Sequence, residues 1–221
     1  MKLTNDIYAY EWTNYFDNNC NSYYIGGGVN ALIDPGLTRY LPNLLEQMAA
    51  DGIKKEDISY VINTHSHPDH FQASEMFDPK EVKIGLHPKE QQFFEGEGGE
   101  LYGLFGITAP QVQINLPLTE GDITLGDQIF KIIPAPGHSP GSIALYWPAQ
   151  KALFCGDVIF DQNVGRTDFP GGSGALLKKS ILSFAQLDLE FLLPGHMGIV
   201  TGKERIEKNF KIIIQSILPY I

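Results

Sequence analysis

Cysteine is almost absent: Cys20 and Cys155 are the only two in 221 residues, which is no framework for a disulfide-stapled secreted protein. Each reads as a small buried hydrophobe. Basic residues are also few. The 16 of them stand against 26 acidic residues, giving a formal charge of -10, and no Lys/Arg run offers a track for a phosphate backbone, so nucleic acid is not an expected partner. Long apolar runs are missing too. No uncharged stretch reaches the roughly 18 residues that span a bilayer, and the opening MKLTNDIYAYEW has no apolar signal core. The expectation is a soluble, cytoplasmic protein that acts on a small molecule away from membranes. Nor is there an internal repeat or a low-complexity linker, so residues 1–221 are expected to form a single domain.

With 43% hydrophobic and 11% aromatic residues, the chain can bury a sizeable core. Ile7 to Ile33 is rich in aromatic and β-branched residues with a turn at Gly26-Gly27-Gly28, which predicts an opening β-meander. LPNLLEQMAADG carries Leu41, Leu44, Leu45 and Met48 at helical spacing and stops at Asp51-Gly52. ISYVIN and EVKIGL predict strands, each running into a loop and a helix. The Gly-rich stretch GEGGELYGLFGITAP has no clear period and predicts an irregular loop, a candidate lid, with Phe94, Tyr102 and Phe105 as candidate pocket walls or loop anchors. From Gln111 to Phe160 a second set of strands follows. GALLKKSILSFAQL and GKERIEKNFKIIIQSI read as helices on either side of the buried strand FLLP. Strands and helices alternate throughout, in two halves of similar grammar. Two sheets packed face to face with helices outside would bury these strands on both sides, an α/β four-layer αββα sandwich.

The strongest local signal is His65-Ser66-His67-Pro68-Asp69-His70, four potential ligands in six residues. Histidines two apart in extended chain point the same way, so both can reach one ion. Asp69 and His70 follow as the chain turns into a helix, which can aim them at a second. Imidazole suits zinc, iron and manganese, and a carboxylate adds a charged oxygen ligand. Further ligands stand in matching settings: His138 in PAPGHSPGS, Asp157 in ALFCGDVIF and His196 in FLLPGHM, each where an apolar strand ends. Strand ends of an α/β sheet are where active sites gather. Scattered core histidines are the bland alternative, but five of the six histidines fall in this set. His87, the sixth, precedes Pro88 and reads as structural. Cys155, two residues before Asp157, shares its face by strand alternation, which would keep it near the ions, although its apolar neighbours favour simple packing.

THSHPDH, PGHSPGS, CGDVIF and LPGH together resemble the successive metal motifs of the metallo-β-lactamase superfamily, along the length of the chain. That resemblance implies His65, His67 and His138 as ligands of a first metal, Asp69, His70 and His196 as ligands of a second, and Asp157 as the bridge. Asp34 in ALIDPG resembles the aspartate that supports the metal-binding loop. Two divalent ions are implied, zinc first, with iron or manganese as alternatives. His70 and Asp157 stand where several true β-lactamases differ, which argues against antibiotic hydrolysis.

NVGRTDFPGGS resembles the pocket-bordering segment of glyoxalase II-like hydrolases and of persulfide dioxygenases. Arg166 falls where glyoxalase II uses a basic residue to contact glutathione, and a guanidinium can hold a carboxylate bidentately. Alternatively Arg166 and Asp168 pair to brace a loop. Two features depart from glyoxalase II: the stretch after FLLPGHM is too short for its C-terminal glutathione-binding domain, and Phe71-Gln72-Ala73-Ser74 replaces commonly found glycines. The expected activity is hydrolysis of a small thioester or related acyl compound. Paired cations lower the pKa of a shared water towards about 7, Asp69 orients that nucleophile, and no nucleophilic side chain is required. Persulfide dioxygenation at a single iron is the alternative, followed by lactone hydrolysis and by a non-catalytic metal-binding module.

Overall fold

The computed structural model describes residues 1–14 and 16–221. The aromatic and β-branched opening forms the antiparallel strands β1 (Ile7–Tyr10), β2 (Ser22–Ile25) and β3 (Ala31–Ile33). Helix α1 (Leu41–Ala50) buries Leu41, Leu44 and Met48. It stops where Gly52 takes φ +81, a left-handed conformation that glycine adopts without steric cost. Strand β4 (Tyr60–Ile62) leads into the short α2 (Pro68–Phe71), and β5 (Lys83–Leu86) into α3 (Pro88–Phe94). Then comes α4 (Glu97–Leu104), where an irregular Gly-rich loop was the expectation. Tyr102 buries its ring against Phe71, Leu86 and Phe94, and this packing outweighs the poor helix propensity of Gly98, Gly99 and Gly103. The segment is therefore a buttress over its first half. β6 (Leu116–Pro117) completes a six-stranded sheet in the order β1-β2-β3-β4-β5-β6, parallel from β3 onward.

The second half repeats the plan. Strands β7 (Gly121–Leu125), β8 (Gln128–Pro134), β9 (Ile143–Trp147) and β10 (Ala152–Gly156) run antiparallel. A small hairpin of β11 (Ile159–Phe160) and β12 (Asn163–Val164) follows, then α5 (Gly174–Phe184), β13 (Phe191–Pro194), β14 (Val200–Thr201) and α6 (Lys203–Ser216). This sheet is ordered β14-β13-β10-β9-β8-β7, with β10 and β13 parallel. Strand alternation divides the side chains among layers. Ile7, Ala9, Tyr23, Ile25 and Ile33 meet Phe130, Leu145, Trp147, Phe154 and Leu193 between the sheets. Their sequence neighbours Tyr24 and Leu32 pack outward beneath α1, while Ala144, Leu153, Cys155 and Leu192 pack outward beneath α5 and α6. The result is the expected αββα sandwich, two sheets between two helical layers.

Cys155 corrects the expectation that it stays near the ions. Its thiol donates outward to the carbonyls of Ile159 and Leu193, at 3.4 and 3.6 Å. Alternation breaks at the next residue, Gly156, whose φ of +48 turns the chain so that Asp157 points back inward. Any side chain at Gly156 would collide with Thr64 Oγ1, so glycine lets the ends of β10 and β4 approach.

Among the described residues no helix is long and apolar enough to cross a membrane. Helix α6 also secures the hairpin after Asp157: Asn209 Nδ2 donates to the Phe160 carbonyl at 2.9 Å and its Oδ1 accepts from Gln162 N at 2.7 Å. Asn209→Ala strands both backbone groups. Its unfolding free energy in urea should fall by about 2 kcal/mol; an unchanged value would mean that packing alone holds the hairpin.

Candidate metal centre

Five loops converge on one rim because the strands feeding it run the same way. Asp34 follows β3, the His65-to-His70 segment follows β4, and His138, Asp157 and His196 follow β8, β10 and β13. Extended backbone at His67 (φ -63, ψ 149) followed by Pro68 at the first helical position starts α2, so Asp69 and His70 turn away from the pair before them. Asn21 and Tyr23 of the first sheet pin the His196 loop, through Asn21 Nδ2 to the carbonyls of Pro194 and Met197 (3.1 and 2.8 Å) and Tyr23 Oη to Pro194 (2.7 Å).

All seven expected ligands come together in three overlapping groups: His65, His67 and His138; His65, His70 and Asp157; Asp69, His70 and His196. Within each group the ligand atoms lie within 4.8 Å of one another. Asp157 reaches both halves, with Oδ1 3.2 Å from His70 Nε2, and Oδ2 3.5 Å from His138 Nε2 and 3.3 Å from His196 Nε2. His67 Nδ1 and His138 Nε2 are 2.8 Å apart, and His196 Nε2 is 3.2 Å from Asp69 Oδ2.

The outer hydrogen bonds decide which ring nitrogens turn inward. His138 Nδ1 donates to the Arg166 carbonyl at 2.8 Å, leaving Nε2 to the centre. Asp34 accepts from Thr64 N and Thr64 Oγ1 at 2.7 Å each, and from His70 Nδ1 at 3.0 Å. Thr64 Oγ1 in turn accepts from His65 Nδ1 at 3.1 Å. Asp34 thus orients His70 directly and His65 through Thr64. His65 Nε2 and Asp157 Oδ1, which fall in one ligand group with His70, are buried without a hydrogen-bond partner. Buried acceptors around a common space are what a cation would satisfy, so the donor set fits divalent metal.

Electrostatics divides the cluster. Burial, reinforced by neighbouring histidines, pushes His65 well down and His67 down to about 3, so both are neutral and ready to ligate. Burial also opposes charge on His70 and His196, but Asp157, aided by Asp34 at His70 and by Asp69 at His196, wins. His70 is raised and His196 goes up to about 10. Burial in turn opposes ionisation of Asp69 and Asp157, yet these histidines hold both carboxyls below the usual range. Two buried carboxylates demand positive charge. A divalent cation held by the inward nitrogens would meet that demand.

Above the cluster lies a cleft of about 590 Å³, walled by Phe105, Ile107, Phe160, Val164 and Phe169 and by the guanidiniums of Arg39 and Arg166. Arg166 lines it while paired bidentately with Asp168 (2.7 and 2.6 Å) and stacked 3.6 Å from the centre of the Phe169 ring. Asp168 lies outside the lining and serves as the brace. Phe105 lines the cleft, but Tyr102 does not: it is buried and donates to the Ser66 carbonyl at 2.9 Å. Phe94 packs against Phe71 and Tyr102 as an anchor. His87 caps α3, its Nδ1 accepting from Lys89 N at 3.1 Å.

Sequence reasoning missed Asn18, whose Nδ2 donates to Asp69 Oδ2 at 2.8 Å; the amide cluster Asn18-Asn19-Asn21 beside apolar strands was the available signal. It also overlooked that Gly137-His138-Ser139-Pro140-Gly141 has the spacing of a serine nucleophile elbow. Ser139 is wholly buried and bonded to Glu90 and Ser142, so it is structural.

Residues 15–196 match the family model described as the Metallo-beta-lactamase superfamily. The chain is 35% identical over 190 residues to a probable metallo-hydrolase of Methanocaldococcus jannaschii, covering 80% of this chain and 86% of that one. It is 33% identical over 206 residues to the hydroxyacylglutathione hydrolase GloC of Haemophilus influenzae, covering 88% and 93%. The solved structure of TTHA1623 in a di-iron-bound form superposes with a TM-score of 0.74 at 27% identity, covering 95% of this chain and 98% of that one.

Proposed function

The chain belongs to the metallo-beta-lactamase superfamily and is one of its metal-dependent hydrolases, and we propose that it cleaves a small thioester of the hydroxyacylglutathione type at a two-zinc centre. The observation that carries this reading is the convergence of seven ligand side chains, as three overlapping groups, at one cleft that five of them line, with His65 and His70 buried behind. His65, His67 and His138 would hold one ion, Asp69, His70 and His196 the other, with Asp157 between them. Divalent metal bound there supplies Lewis acidity and an activated water. The protein supplies placement. Asp69 Oδ2 is fixed between Asn18 Nδ2 at 2.8 Å and His196 Nε2 at 3.2 Å, which leaves Oδ1 to orient the attacking water. Phe105, Ile107, Phe160 and Phe169 give the acyl and thiol arms an apolar wall. The Arg166 guanidinium offers two donors to a substrate carboxylate, and Phe169 and Asp168 hold it ready.

Purified protein assayed against hydroxyacylglutathione, simple acyl thioesters, lactones and a β-lactam should release free thiol without consuming oxygen, with about two ions per chain. One iron per chain and oxygen uptake with a glutathione persulfide would overturn this reading, as would turnover confined to lactones or the β-lactam. In the same assay Arg166→Met should raise KM about tenfold with kcat little changed, the size expected for one charged hydrogen bond discounted for exposure. An unchanged KM would remove Arg166 from substrate binding.

A further inference from the structure

Glu90, on α3, is the most completely enclosed acid among the described residues, at 0% exposure. Oε1 accepts from Ser66 N at 2.9 Å and Ser66 Oγ at 2.8 Å. Oε2 accepts from Ser139 Oγ at 2.7 Å and Gly141 N at 2.8 Å. Ser66 sits between His65 and His67, and Ser139 follows His138. One carboxylate thus ties together the two loops that carry the three-histidine half of the centre. Two features show that the tie is built for close approach. A side chain at Gly141 would collide with the backbone of Glu90, and Tyr102 holds the remaining polar group of Ser66, its carbonyl, at 2.9 Å.

We propose that Glu90 is a positioning residue that sets the spacing of His65 and His67 against His138, and through it the affinity and geometry of that half-site. The inference rests on the metal-centre reading above. A carboxylate is the side chain for this task because all four of its partners are donors and it alone offers only acceptors. Glutamine keeps the shape but presents an NH2 group to one loop, where it faces a backbone N–H whichever way the amide lies. One loop is therefore released while the helix keeps its packing.

The test measures zinc affinity by chelator competition, and the visible absorption of the cobalt-substituted protein, for wild type, Glu90→Gln and Ser139→Ala. Expected for Glu90→Gln is zinc binding about tenfold weaker at one of the two sites, a shifted cobalt spectrum, and a fall in kcat with KM unchanged. Ser139→Ala loses one bond of the four and should move affinity and spectrum in the same direction by less. Lower thermal stability with wild-type affinity and spectrum would make Glu90 purely structural and overturn the proposal. If Glu90→Gln cannot be recovered folded, Ser139→Ala decides: a wild-type spectrum and affinity there overturns it. Wild-type protein that binds no metal would instead overturn the metal-centre reading itself.

Discussion

Asp157→Asn is expected to lower kcat/KM by at least about a thousandfold while the protein remains folded, the loss typical of removing a principal electrostatic group from an active site. The substitution keeps volume and shape, so the packing behind Asp157 survives. It removes the one side chain that reaches both halves of the cluster, His70 on one oxygen and His138 and His196 on the other, at 3.2, 3.5 and 3.3 Å. An amide also places an NH2 group against an inward-facing imidazole nitrogen in either orientation. The charge matters as much as the contact. Burial works against ionisation of Asp157 while the adjoining His196 and His70 favour it, and the neutral variant loses the anion that would hold two cations close together. Turnover and metal content measured on one preparation check this: activity lost and one ion missing is the expected pattern. Full activity with both ions retained would reject Asp157 as the bridge.

What the sequence made legible was local. The opening β-meander and the second set of strands were readable from aromatic and β-branched runs between turns, and strand geometry then sends alternate residues of IYAY, SYYI and IALYW to opposite faces. The ligand loops were readable because a polar residue after an apolar run and a Gly or Pro turn has few structural uses. Less legible was whatever depended on distant packing. Gly98, Gly99 and Gly103 argue against a helix until Phe71, Leu86 and Phe94 arrive to cover Tyr102. Glu90 looks like any acid in the first turn of a helix, and only the fold brings Ser66 and Ser139 to it. The face of Cys155 was misread because alternation was carried one residue too far, through a glycine whose left-handed backbone reverses it. Asn18 lies 51 residues from Asp69 in the chain, a distance that no periodicity spans.

Asp34→Asn tests how far the centre depends on a residue that touches no ion. Asp34 takes φ +50, and asparagine tolerates that left-handed conformation as well as aspartate does, so backbone strain is not the variable. The change acts on protons. Oδ2 of Asp34 accepts from Thr64 Oγ1 and from His70 Nδ1. With an NH2 group there, the hydroxyl can rotate to accept, but the imidazole must surrender its Nδ1 proton and, when neutral, carry it on Nε2. That is the nitrogen facing Asp157 at 3.2 Å, the one a cation needs. In the opposite flip the NH2 group meets Thr64 N–H and unsettles the loop that starts at His65. Either way the inward lone pairs of His70 or His65 are compromised. Metal affinity should fall by about a hundredfold, the upper end for a partner of a ligating histidine, whereas the metal-free protein should lose about 1 to 3 kcal/mol of stability. Chelator competition and urea unfolding on the same variant separate the two effects. Two ions held with wild-type affinity would mean that neighbouring side chains fix the histidine tautomers without Asp34.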